Sequence, residues 1–76
     1  MNIKKHEDFL RAFGNNLRIT RKRLGFSQER LAYESEIELR QIGRIERGEI
    51  NTGIGSLKII AETLGINVKD LMEFDY

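Results

Sequence analysis

The chain has 76 residues and a mass of 8.9 kDa, which allows one small domain whose folding buries only about 60% of its unfolded surface. It has no Cys and a single His, His6, so a disulfide framework, a thiolate metal site and a multi-histidine metal site are all excluded. Thirteen basic and 12 acidic side chains leave a net charge of only +1, which on its face speaks against a nucleic-acid partner.

The elements follow in chain order, and their period is helical rather than alternating. Phe9, Leu10, Phe13, Leu17, Thr20 and Leu24 form one apolar stripe on a helix expected from about His6 to Leu24. Arg11, Arg18, Arg21, Lys22 and Arg23 are expected on the opposite face. Gly14 lies inside this helix at a cost of about 1 kcal/mol relative to Ala, a position suited to close approach by a neighbouring helix. Gly25 follows a cationic last turn and stops the helix. Ser27 is placed to cap a short helix from Gln28 to about Glu34. A break at Ser35-Glu36 precedes a third helix, from about Glu38 to Arg47, with Ile42 and Ile45 inward and Gly48 as its stop.

A loop spans Glu49 to Gly55, and a fourth helix, from about Ile54–Ser56 to Leu64, carries Leu57, Ile60, Ala61 and Leu64. Gly65 ends it, and Asn67 caps a last short helix with Asp70 as the capping-box acid and Leu71 inward. The predicted fold class is all-α, with five short helices joined by glycine-marked turns. The chain is read as one domain, residues 1–76, with a core over 9–72. No apolar run approaches the roughly 18 residues of a membrane helix. The basic start is followed by His6, Glu7 and Asp8 rather than by an apolar stretch, so neither a membrane partner nor a secretory leader is expected. The expected location is the cytoplasm. With no cofactor motif and no Cys or His cluster, an enzyme is not expected, nor is any cofactor, metal or small-molecule ligand.

Residues 28–48 read QERLAYESEIELRQIGRIERG. Two short helices are separated by a three- or four-residue break. Ala32 is small where their axes would cross, and Ile37 plugs the turn. Ile42 and Ile45 tie the second helix to the core, which leaves Leu39, Arg40, Gln41, Gly43, Arg44 and Arg47 on or near its outer side. This is a helix-turn-helix pattern, expected over 27–48, in which the second helix enters the DNA major groove. Arg matches guanine O6 and N7, and Gln matches adenine N6 and N7.

The stretch from Phe13 to Leu71 resembles the Xre/Cro family of helix-turn-helix domains, the lambda-repressor-like domain of phage repressors and restriction-modification controllers. The residues that carry the resemblance are Leu17-Arg18, Arg21, Leu24 to Glu29, Leu31-Ala32, Ile37, Ile42, Arg44 to Gly48, Asn51, Leu57, Ile60-Ala61, Leu64-Gly65 and Leu71. The resemblance implies a prokaryotic or phage-type DNA-binding transcriptional regulator, a repressor or controller. It implies base contacts from Leu39, Arg40, Gln41 and Arg44. It implies DNA-backbone contacts from Ser27, Gln28 and Arg18, with Gln28 also bracing the recognition helix, and from Arg21 and Arg47, for which a scaffold role is the alternative. It further implies a structural ion pair between Arg18 and Glu46.

Three residues depart from the family pattern. Glu36 stands where Gly is usual in the turn, and a left-handed backbone there costs roughly 1 kcal/mol. Glu38 stands where Ser or Thr is usual at the start of the recognition helix. Gly43 replaces a frequent Ser and is expected to leave the middle of that helix bare. These departures support the alternative reading, a protein-interaction module on the same fold.

The C-terminal residues are more apolar than one buried face requires. Ile66, Met72, Phe74 and Tyr76 form the expected interface of a two-fold homodimer, which would set two recognition helices about 34 Å apart on double-stranded DNA and suit a short palindromic operator. The distribution of charge supports this division. Residues 1–47 hold 11 basic and 7 acidic side chains, and residues 48–76 hold 2 and 5.

Overall fold

In a computed structural model describing residues 3–76, five helices follow one another: α1 (Ile3–Arg23), α2 (Gln28–Ser35), α3 (Leu39–Glu46), α4 (Ile54–Leu64) and α5 (Val68–Leu71). The described residues include no strand. The architecture is the all-helical one expected, with α1 three residues longer at its start than the apolar stripe alone indicated.

Local chemistry accounts for the ends of the helices. α1 closes on Gly25, whose φ of 82° lies in the left-handed region. Gly25 N–H donates to the Lys22 carbonyl and Phe26 N–H to the Arg21 carbonyl, a Schellman arrangement that satisfies two orphan acceptors. At the start of α2, Ser27 is extended and its Oγ accepts from Arg30 N–H at 2.9 Å. α5 is opened by the capping box, in which the Asp70 carboxylate accepts from Asn67 N–H at 2.9 Å.

The turn between α2 and α3 keeps the left-handed backbone that the usual Gly would supply. Glu36 has φ 61° and ψ 24°, so the chain accepts the strain rather than rerouting the turn. The buried Ser35 supports it: its hydroxyl accepts from Ile37 N–H at 3.2 Å and donates to the Ala32 carbonyl.

The core is built from one stripe per helix. Phe13 and Leu17 of α1, Leu31 of α2, Ile42 and Ile45 of α3, Ile60, Ala61 and Leu64 of α4, and Leu71 of α5 are all buried. Leu24, Phe26, Ala32, Ile37, Ile50, Leu57, Ile66, Val68 and Phe74 pack around them. α1 lies against α3 and α5, α2 against α3 and α4, and α4 against α5. Gly14 makes the α1–α3 approach possible, because a Cβ there would collide with the carbonyl oxygens of Ile45 and Glu46. α1 is also fastened to the end of α5, where Asn16 Nδ2 donates to the Leu71 carbonyl at 2.9 Å.

A candidate nucleic-acid interface on the third helix

α3 has two faces of opposite character. Ile42 and Ile45 point into the core, and Glu46 is buried beside them. Leu39 and Arg40 are exposed and Gln41 and Arg44 half-exposed. Glu38, Arg40, Gln41 and Arg44 line a shallow open depression with Ile50. The four residues expected at base edges therefore share the outer surface of one short helix.

That helix is braced from behind by a buried polar network. Arg21 of α1 meets Glu46 in a two-pronged ion pair, Nε to Oε2 at 2.6 Å and the terminal nitrogen to Oε1 at 3.0 Å. The other terminal nitrogen of Arg21 donates to the Phe26 carbonyl at 2.7 Å, and Gln28 Nε2 donates to Glu46 Oε1 at 2.9 Å. One carboxylate thus gathers α1 and α2 onto α3, and one guanidinium adds the α1–α2 turn. Such a pair must be complete, because each charge is costly to bury without its partner.

This network corrects two expectations for α1. The partner of Glu46 is Arg21, not Arg18, whose guanidinium donates to Asn15 Oδ1 at 3.0 Å on the exposed side. Arg21 is also only 5% exposed, so it is scaffold rather than a DNA-backbone contact, and it does not share the outward face of Arg18. The reason is helical phase: at about 100° per residue, Arg21 stands about 40° from Leu17 and Arg18 about 100°. Only the former falls within the stripe that faces α3.

Among the other expected backbone contacts, Ser27 is exposed and Gln28 half-buried at the start of α2, and Arg18 is exposed on α1. Arg47 is exposed just beyond α3, and its guanidinium lies along the helix over Gly43, close enough that a Cβ at Gly43 would be 3.0 Å from it. Gly43 is therefore covered rather than bare. Glu49, which the sequence did not single out, receives Arg47 Nε at 2.6 Å and stands 3.7 Å from Arg44 Nε. The hydrogen bond from Arg47 holds the Glu49 carboxyl below the usual carboxylate range, and the same bond raises Arg47. Arg30 was also passed over. Its guanidinium covers the Phe26 ring at 3.9 Å and pairs with Glu34 at 2.7 Å, and the i, i+4 spacing of Arg30 and Glu34 was the available signal.

The C-terminal residues expected at an interface divide. Met72 is 40% and Tyr76 66% exposed, whereas Ile66 and Phe74 are half-buried against the core. Phe74 meets Phe9 at 5.4 Å and Phe13 at 6.1 Å between ring centres, and Tyr76 stands edge-on to Phe9 at 5.0 Å. Much of the apolar surplus is thus spent within the chain. Among the described residues no helix is long and apolar enough to cross a membrane.

A short helix with a polar outer face, held across a tight turn on a partner helix, defines a helix-turn-helix DNA-binding unit. The profile of the helix-turn-helix family HTH_3 matches residues 17–71, and the chain belongs to that family. Control protein C.BamHI of Bacillus amyloliquefaciens is 36% identical over 63 residues, 82% of this chain and 78% of the relative. The crystal structure of the restriction-modification controller protein C.AhdI from Aeromonas hydrophila superposes with a TM-score of 0.78 at 34% identity, over 84% of this chain and 96% of that one. The clp gene regulator ClgR of Corynebacterium glutamicum gives a TM-score of 0.81 at 26% identity, over 84% and 82%. The protein is accordingly a DNA-binding regulator of transcription and not an enzyme.

Proposed function

We propose that the protein acts as a homodimeric controller or repressor that occupies a short palindromic operator, each protomer laying α3 in the major groove of one half-site. The observation that carries this reading is the outward set of Leu39, Arg40, Gln41 and Arg44 on a helix whose other face is locked by Ile42, Ile45 and the Arg21–Glu46 pair. Arg40 and Arg44 suit guanine, Gln41 suits adenine, and Leu39 suits the thymine methyl. Ser27, Gln28, Arg18 and Arg47 are the proposed phosphate ligands, a role that the exposure of Ser27, Arg18 and Arg47 supports. The free amides at the start of α2 add a favourable dipole for the same anions.

Two relatives are named as control or controller proteins, which favours a role in regulating restriction-modification genes. Dimerisation uses the exposed part of the C-terminal apolar surface, Met72 and Tyr76, with the outer edges of Ile66 and Phe74. Folding and function reside in a single helical unit, with its core over 9–72.

Selection of bound duplexes from a random pool tests the reading. The expected product is a pseudo-palindrome with half-sites about one helical turn apart, bound by two chains. A pool that enriches nothing overturns the operator proposal. A monomer mass by light scattering at high micromolar concentration overturns the dimer.

A further inference from the structure

α3 ends in a turn that returns a carboxylate to Arg44 of the helix and to Arg47 just after it. Gly48 has φ 72°, its N–H donates to the Ile45 carbonyl at 3.0 Å, and Glu49 N–H donates to the Arg44 carbonyl at 2.9 Å. The turn is pressed against α1, since a Cβ at Gly48 would lie 2.6 Å from Arg11 Cα. The backbone therefore fixes where Glu49 starts. Its side chain takes Arg47 Nε at 2.6 Å and a second Arg47 nitrogen at 3.5 Å, and it faces Arg44 through Nε at 3.7 Å. That geometry treats the two arginines differently. Arg44 is approached from Nε, so both terminal nitrogens remain available for a base edge. Arg47 is engaged through Nε and a terminal nitrogen and is laid back over Gly43.

We infer that Glu49 is a specificity-setting residue: it positions Arg44 for a base and withholds Arg47 from phosphates until a cognate site offers a replacement anion. This rests on the DNA-binding reading above and adds a discriminating element to it. Random DNA is bound through phosphates, so each free cation raises affinity for every sequence alike. A cation held by an exposed carboxylate is discounted from that sum, yet the pair is weak enough to be exchanged in a well-fitted complex. Arg44, oriented from behind, meets a base edge with less freedom to lose.

The test compares wild type and Glu49→Gln on the selected operator and on unrelated duplex over a range of salt, with the nitrogen-15 resonance of Arg47 Nε–H followed in the free proteins. The substitution is expected to tighten unrelated DNA about two- to five-fold, with a smaller gain or none on the operator, where relief of the Arg47 pair is offset by the loss of Arg44 positioning, so that the specificity ratio falls. The salt dependence on unrelated DNA should steepen by about one unit in the log–log slope, the signature of one more phosphate contact. The Arg47 resonance should lose its hydrogen-bonded character. Equal tightening on both DNAs, or no change on either, overturns the inference, as does an Arg47 resonance that Glu49→Gln leaves unmoved. Wild type that binds no duplex overturns the DNA-binding reading itself. It is distinguishable because the resonance then still reports the contact in the free protein.

Discussion

Two glutamates three residues apart, Glu46 and Glu49, each hold an arginine at 2.6 Å, yet they belong to different worlds. The side chains of Glu46 and Arg21 are 1% and 6% exposed, whereas those of Glu49 and Arg47 are 46% and 59% exposed. Inside, the pair has no solvent to fall back on, so geometry is fixed and loss of one partner strands a charge. Outside, water and salt compete, and the same 2.6 Å contact contributes little to stability but remains exchangeable. One helix thus carries a permanent brace on one side and a releasable contact at its end. Burial, not distance, separates the two roles.

The largest effect should come from removing the brace. Glu46→Ala leaves Arg21 buried and unpaired, and a loss of about 3–5 kcal/mol is expected, read as a fall in Tm of more than about 12 °C. A fall of only a few degrees would mean that water reaches Arg21 and that the inner pair resembles the outer one. Next in size is Arg44→Ala, expected to cost about 1–3 kcal/mol on the operator and to relax preference at one base position. Uniform weakening on all sequences would turn Arg44 into a phosphate contact.

A smaller change of opposite sign is expected from Glu36→Gly. Relieving the φ of 61° should stabilise the protein by about 0.5–1 kcal/mol, a rise in Tm of a few degrees. Unchanged or lowered Tm would show that Glu36 is held at no net cost. The smallest is the outer pair itself. Its carboxyl is held below the ordinary range by the Arg47 hydrogen bond, so any contribution it makes is present at neutral pH and fades as pH falls through that depressed value. Glu49→Gln should leave Tm at neutral pH unmoved within error. A clear drop would make Glu49 part of the scaffold and erase the contrast with Glu46.

The helices, their stops and the family are legible in the residues alone. Ser27, Gly25, Gly48, Gly65 and the Asn67–Asp70 pair act within one turn of their own backbone, and the stripes of α1, α3 and α4 follow from a 3.6-residue period. The same arithmetic, with Ile42 and Ile45 inward, left Leu39, Arg40, Gln41, Gly43, Arg44 and Arg47 near the outer side; the resemblance picked Leu39, Arg40, Gln41 and Arg44 from them, and the fold buries Gly43. Which partners meet across chain distance is settled only in the folded chain. Arg18 and Arg21 lie within one turn on α1, and only docking against α3, whose Glu46 lies 25 residues on from Arg21, selected the second as the partner of Glu46. Phe74 read as surplus surface until the chain returned it to Phe9 and Phe13. Glu49 read as a loop residue until the left-handed Gly48 aimed it back at Arg47. Caps and periods are legible because neighbours in sequence are neighbours in space. The pairings were not, because they depend on the rotational phase and approach of whole helices, fixed only when every stripe is buried at once.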